Sequence, residues 1–377
     1  MLDLTAVYSV LRECGIEFIA GVPDTLLNDF CLSLSSEWET DRHVIAANEG
    51  NAIALAAGYQ LATGTVPLVY MQNSGLGNAI NPLVSLVDPT VYAIPMVLLI
   101  GWRGEPGSND WPQHQRQGEI SPMLLDVLKI PYRTLDVDLS EALETVRWSV
   151  NTARKISQPT ALLVRKNVLA KKEKAGFDQT SQSYAMSREE AIRTILSAAP
   201  ADTIYVASTG RITRELHALR NELGQLHDLD FLNVGAMGHT LSIAAGIAAA
   251  KSDRTVICLD GDGAAIMHLG SLAVTANQPL RNLLHIVLNN GAHESVGGQS
   301  SVGHTCTFTG AAKSFGYGTW PNNVETIEDL SCAISMIISQ QGPSFLDVYI
   351  KKGMRQDMPP LIIDTLSTKK LLANELK

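Results

Sequence analysis

The sequence has little that would tie it to nucleic acid, to a membrane or to an oxidising compartment. Its longest basic run is Lys171-Lys172-Glu173-Lys174, and the formal net charge is −9. Binding by neutralisation of a phosphate backbone needs a concentrated basic face, so nucleic acid is not an expected partner. The most apolar run, 91–100, is interrupted by Pro95 and is far too short to cross a bilayer. The N-terminus lacks the basic start and apolar block of a signal peptide, and places Leu4, Val7, Tyr8 and Leu11 on one face of a helix instead. The five cysteines, Cys14, Cys31, Cys258, Cys306 and Cys332, are odd in number and never spaced as CxxC. That pattern argues against a disulfide framework or a zinc site and fits a reducing cytosol. A soluble cytoplasmic protein is the expectation.

What is present is the material of two globular cores. At 377 residues the chain exceeds the usual single core, and 45% hydrophobic with 18% charged residues excludes disorder. No short-period repeat is visible. Short apolar runs without alternation lie at 18–22, 43–47, 68–71, 96–100 and 160–164 in the first half. Others lie at 204–207, 255–259, 283–288 and 345–349 in the second. Runs of this kind mark strands covered on both faces, and helical patterns separate them, notably the Ala-rich stretch 50–62 that stops at Gly64. Two α/β domains with doubly wound parallel sheets follow, at 1–170 and 187–377. A polar, aperiodic linker is expected at 171–186, ending where Ser187-Arg188-Glu189-Glu190 forms a capping box.

The strongest chemical signal is Asp260-Gly261-Asp262-Gly263 after one strand and Asn289-Asn290 at the end of the next. In a parallel sheet both fall at carboxyl ends of strands, where open α/β sheets bind ligands. Gly261 and Gly263 admit a diphosphate close to the backbone, and Asp262 and Asn290 offer hard oxygens for Mg²⁺. A Gly-Asp-Gly segment alone is an ordinary turn. Its pairing with Asn-Asn gives it meaning.

Together these motifs resemble the diphosphate-and-metal signature of thiamine-diphosphate enzymes. The resemblance implies a pyrimidine-binding domain at 1–170, a diphosphate-binding domain at 187–377, and thiamine diphosphate with Mg²⁺ as cofactors. It implies that Asp262, Asn290 and the carbonyl of Ala292 hold the metal. Glu49, in Asn48-Glu49-Gly50-Asn51-Ala52, looks like the glutamate that exchanges a proton with the cofactor's aminopyrimidine ring. Met237, in Gly235-Ala236-Met237-Gly238-His239, resembles the apolar wedge that bends the cofactor. Ser208 and Gly210, in Ser208-Thr209-Gly210-Arg211, are expected at the cofactor too, with arginine at 211 where relatives carry lysine.

No room remains for the central third domain found in many members. Short two-domain members include phosphonopyruvate and sulfopyruvate decarboxylases, and the resemblance to the former runs nearly end to end. It is carried by 21–24, 73–78, 112–118, 208–211 and above all Asn289 through Gln299. The implied activity is decarboxylation of the small 2-oxo acid phosphonopyruvate to phosphonoacetaldehyde and CO₂, a step of phosphonate biosynthesis. Such a dianion needs cationic or N–H-rich recognition, for which Asn73, Ser74, Asn78, Arg103 and Arg116 are candidates. Asp24, His114 and His293 are candidate proton carriers beside Glu49, with His239 a further one. The resemblance also implies a homo-oligomer whose active sites form at a subunit interface. Three alternatives stay open: a sulfopyruvate decarboxylase, another thiamine-diphosphate decarboxylase or carboligase, and a non-catalytic nucleotide-sensing α/β protein.

Overall fold

A computed structural model describes residues 1–39, 41–170, 184–338 and 342–377. The chain divides into two compact units, Met1–Phe177 with Val296–Gln299, and Asp178–Ser295 with Ser300–Lys377. Most of the expected linker, 171–183, lies outside the described residues. Its far end is described: Ser187 caps the helix Arg188–Ala198 through the reciprocal Ser187–Glu190 pair that the sequence announces.

In the first unit the strands are β1 (Ile19–Gly21), β2 (His43–Ile45), β3 (Leu68–Gln72), β4 (Val97–Gly101), β5 (Tyr132–Thr134) and β6 (Thr160–Val164). They form one six-stranded parallel sheet in the order β2-β1-β3-β4-β6-β5. In the second unit come β7 (Ile204–Ala207), β8 (Asp230–Leu232), β9 (Val256–Gly261) and β10 (Leu283–Asn289). The two-residue strands β11 (Ala292–His293) and β13 (Gly318–Thr319) and then β14 (Ser344–Tyr349) complete it, while β12 (Gln299–Ser300) has its first residue in the first unit's segment. The second sheet has the order β13-β14-β10-β9-β7-β8. Read from its other edge and counted within the unit, leaving out β11 and β12, it repeats the strand order of the first. Among the described residues no third unit separates the two in sequence.

Both faces of each sheet are covered. Neighbouring residues of β4 show this: Leu98 packs into one apolar cluster and Leu99 into the cluster on the opposite face. Each such burial contributes roughly 1.5–3 kcal/mol. That is why the strands read as unbroken apolar runs. The helix Glu49–Thr63 starts where the Asn48 side chain accepts the Asn51 N–H at 3.0 Å. It stops at Gly64, whose φ of 74° is the left-handed end that glycine tolerates. No helix of the described residues is long and apolar enough to cross a membrane.

Five strands escape sequence reading: β5, β8, β11, β12 and β13. They are two or three residues long, and each is the edge of a six-stranded sheet or half of the two-stranded pair β11-β12. Such a run is too short to show a period. In both units the chemistry-bearing segments sit at carboxyl ends of central strands. Asp24 follows β1, Asn73 follows β3, Ser208 follows β7, Asp262 follows β9 and Asn290 follows β10. The pairs β1/β3 and β7/β9 are the points where strand order reverses, which is where such sheets open a crevice.

Candidate active site

In the first unit a contiguous set of polar groups runs from Glu49 to Asp24. Glu49 opens its helix and is buried, 5% exposed. Asn78 Nδ2 donates to its Oε2 at 2.7 Å. The 3₁₀ turn Asn73–Gly75 passes so close that a Cβ on Gly75 would lie 2.5 Å from Glu49 Oε1 and 2.6 Å from Cδ. Asn73, fully buried, donates to the Arg103 carbonyl at 2.8 Å and to Ser121 Oγ at 2.9 Å, and accepts the Arg103 N–H at 3.2 Å. Its side chain therefore ties the β3 end to the β4 end. Ser74 Oγ accepts from Gln72 at 2.6 Å.

The Arg103 guanidinium grips Asp110 with two parallel bonds, Nε to Oδ2 at 2.7 Å and Nη2 to Oδ1 at 2.6 Å, while Nη1 reaches Thr25 Oγ1 at 2.6 Å. This fork holds the Asp110 carboxyl well below its usual range. Asp24 lies on the other side. Its Oδ2 accepts the Leu26 and Leu27 N–H groups at 3.0 and 3.3 Å. Burial nevertheless pushes its carboxyl up to about 6, against the pull of Arg103 and those N–H groups. His114 enters the helix Pro112–Val127, where burial and the Arg103 charge take its imidazole down to about 4, so it is neutral at pH 7. Its Nδ1 is buried without a hydrogen-bond partner. Arg116 stands apart, its side chain 81% exposed and paired with Glu119 at 2.9 Å. An exposed pair one helical turn apart contributes little.

In the second unit Asp262 and Asn290 meet, as their strand-end positions require. Asp262 is 3% exposed and begins the short helix Asp262–Met267. Burial pushes its carboxyl up to about 6, and the groups that offset this are hydroxyl and N–H donors: Ser301, Gly263 and Asn290. Asn290 Oδ1 accepts the Ala292 N–H at 3.1 Å, and its Nδ2 donates to Glu294 Oε2 at 2.9 Å. Glu294 in turn is held by Arg188 and by the Gly353 N–H, with Arg211 Nη1 at 3.1 Å. Arg211 Nη2 also reaches the Glu294 carbonyl at 3.0 Å, and Arg188 reaches Glu215 at 2.7 Å. Two arginines and two carboxylates thus fix the amide of Asn290 from behind. Removing one member of such a buried pair costs about 3–5 kcal/mol.

The residues present fit a diphosphate with a divalent cation. Asp262 is a buried carboxylate without a cationic side chain among the groups that offset its burial. Ser208 Oγ, in a residue 1% exposed at the end of β7, has no hydrogen-bond partner. Gly210 has φ +101° and caps the helix Arg211–Glu222, whose first N–H groups it leaves uncovered by any side chain. At Gly263 a Cβ would meet His293 Nδ1 at 2.8 Å, so glycine lets that imidazole lie against the turn. Burial lowers His293 to about 4. Met237 sits half-buried in a turn built by Asn233, which donates to the Ala236 carbonyl at 2.7 Å and accepts its N–H at 2.9 Å. His239 Nδ1 lies 3.0 Å from the Met237 carbonyl.

Sequence reasoning missed the supporting shell. Asp110, Ser301, Glu294, Arg188 and Asp347 were not singled out. Asp347 carried a readable signal: an acid in the middle of the apolar strand β14. Burial and the nearby Asp262 raise it to about 7, and Asn289 donates to it at 3.1 Å. The others gave none: Asp110 meets Arg103 through a loop without a period, and Arg188 and Ser301 reach partners 106 and 39 positions away.

Comparison with known proteins adds the following. Residues 4–125 match the thiamine pyrophosphate enzyme N-terminal TPP binding domain, and residues 208–348 match the C-terminal TPP binding domain. A phosphonopyruvate decarboxylase of Streptomyces viridochromogenes is 33% identical over 94% of this chain and 89% of its own length. One from Streptomyces hygroscopicus is 32% identical over 94% and 88%. A sulfopyruvate decarboxylase of Methanosarcina acetivorans is 29% identical over 78% and 77%.

Proposed function

The chain belongs to the thiamine pyrophosphate enzyme family and is a thiamine-diphosphate-dependent decarboxylase, and from that premise we propose that it decarboxylates phosphonopyruvate with Mg²⁺ as the second cofactor. The observation that carries the substrate is the likeness to two phosphonopyruvate decarboxylases along 94% of this chain. Asp262, Asn290 and the Ala292 carbonyl are the proposed metal ligands. Ser208, Gly210, Gly261 and Gly263 would hold the diphosphate, and Met237 would bear on the rings. Bound thiamine diphosphate supplies the electron sink that takes up the electron pair left when CO₂ departs.

The chain's own residues bind, orient and move protons. Glu49 would hold or release a proton at the carboxyl that Asn78 orients, facing the ring of the bound cofactor. Asp24, raised to about 6 by burial, exchanges a proton within reach of neutral pH. Its Oδ2 accepts two backbone N–H groups, and its Oδ1 accepts from Thr25 Oγ1 at 3.5 Å. His114 is neutral at pH 7, and its unpartnered Nδ1 is free to accept from or donate to substrate. Arg103 acts here chiefly by fixing Thr25 and Asp110 beside these two groups. Asn73 works from behind as a buried brace, and Asn78 as the support of Glu49. His293 stands against the diphosphate turn.

We assign the two halves of the active site to two protomers, the first unit of one and the second unit of another. Sulfopyruvate is the second substrate reading, favoured by the Methanosarcina relative. Turnover of the two acids by the purified chain with thiamine diphosphate and Mg²⁺ separates them. Phosphonoacetaldehyde release at the higher kcat/KM supports the proposal, and a preference for sulfopyruvate overturns it.

A further inference from the structure

We propose that Cys258, Asp260 and His285 form a second metal site, buried in the sheet of the second unit and suited to a borderline divalent ion such as Zn²⁺. The three sit on one sheet face by construction. Cys258 and Asp260 are two residues apart on β9, so their side chains share a face, and His285 of β10 is in register with Cys258. Their ligand atoms all lie within 4.8 Å of one another, and His285 Nε2 is 3.6 Å from Asp260 Oδ2.

Burial makes this arrangement unlike an ordinary core histidine. His285 is 2% exposed, and neither of its ring nitrogens has a hydrogen-bond partner. A buried imidazole satisfies at least one nitrogen as a rule, because it otherwise loses its hydration for nothing. Asp260 is 1% exposed, and its Oδ1 accepts from the neighbouring Gly261 N–H at 3.0 Å. One neighbouring N–H is a weak counterweight for a carboxylate inside an apolar cluster. Both residues face a cavity of about 10 Å³ whose wall is otherwise apolar side chains such as Leu241, Phe308 and Phe345, with Ser271 as a further polar residue. That volume admits one small ion or one water.

The donor set selects the ion. Thiolate, carboxylate and neutral imidazole with a dication sum to zero charge, the balance that an apolar core tolerates. Sulfur and imidazole nitrogen prefer Zn²⁺, whereas the all-oxygen set of Asp262 and Asn290 suits Mg²⁺. Three protein ligands leave a fourth tetrahedral position directed at the cavity. Tetrahedral bonds of 2.0–2.3 Å put ligand atoms about 3.5 Å apart, so side-chain rotation closes the set by up to about 1.3 Å on binding. The Cys258 thiol releases its proton in that step. Such an ion pins β9 to β10, whose ends carry Asp262 and Asn290. The absence of CxxC spacing argued against zinc in the sequence; a two-residue strand step joined to a neighbouring strand leaves no such mark.

The experiment loads the full chain with Co²⁺ while thiamine diphosphate and Mg²⁺ are kept saturating. A thiolate ligand gives a near-ultraviolet sulfur-to-cobalt band and tetrahedral visible bands, which an oxygen-only site does not give. We expect one Co²⁺ per chain with both signatures, their loss on addition of one equivalent of Zn²⁺, and their loss in Cys258→Ser. His285→Gln, of similar volume, is expected to weaken the visible bands and serves if Cys258→Ser does not fold. No thiolate band in the wild-type chain overturns the proposal. So does a band that persists in both variants, which would belong to the exposed Cys332 or another adventitious thiol.

Discussion

Replacing Gly75 with alanine tests the geometry of Glu49 without touching the glutamate. The new Cβ would lie 2.5 Å from Glu49 Oε1 and 2.6 Å from Cδ. Ordinary contact between carbon atoms is about 3.5–4.0 Å, so the carboxyl must retreat by about 1 Å. Its 2.7 Å bond from Asn78 then stretches beyond hydrogen-bond range. A displacement of about 1 Å at a reacting group costs about 10²-fold in rate, or about 2.7 kcal/mol of barrier. Crowding beside the buried Glu49 side chain costs the fold about 1–3 kcal/mol, so a modest fall in Tm is expected, partly offset through the unfolded chain. Gly75 has φ −72° and ψ −15°, which alanine adopts freely, and the change removes about 0.4–1 kcal/mol of unfolded-chain entropy. The assay is kcat with saturating cofactors, with Tm measured on the same preparation. Glu49→Gln sets the floor, about 10²–10⁴-fold below the native rate if proton exchange at this residue is required. Native kcat in folded Gly75→Ala would refute the role given to the Glu49 carboxyl.

Three further predictions follow from the same geometry. Asp262→Ala should abolish Mg²⁺-dependent binding of thiamine diphosphate, read as loss of calorimetric heat, while the sheet keeps its circular dichroism; retained heat would remove Asp262 from the metal. Asp24 is raised from 3.8 to about 6 in the folded chain, so the native state holds its proton more tightly than the unfolded one, and stability falls as pH rises from 4 to 6. Asp24→Asn should therefore gain up to about 3 kcal/mol at pH 7 and flatten that pH window while losing activity; denaturant melts at pH 4 and 7 that shift equally would contradict this. A monomer isolated by gel filtration should be inactive, and full turnover by a verified monomer would end the shared-site assignment.

Much of the architecture could be read because the central strands are buried on both faces and so stand out as apolar runs. The strand ends that matter, after β1, β3, β7, β9 and β10, were all marked by polar residues following such a run. The capping box at Ser187 was equally legible, being a local exchange of hydrogen bonds within four residues. Edge strands β5, β8 and β13 were not, since two or three residues carry no period. In the site, Asp262 and Asn290 were legible because strand adjacency dictates their meeting. The engagement of Arg103 with Asp110 was hidden in a loop whose fold only the structure shows. The brace of Arg188, Glu215, Arg211 and Glu294 behind Asn290 joins residues up to 106 positions apart. No reading of spacing reaches that far.

The most direct test is the purified chain with thiamine diphosphate, Mg²⁺ and phosphonopyruvate, followed by release of phosphonoacetaldehyde. We predict turnover that needs both cofactors and exceeds that with sulfopyruvate. No aldehyde from phosphonopyruvate in a correctly folded, cofactor-loaded preparation would contradict the account.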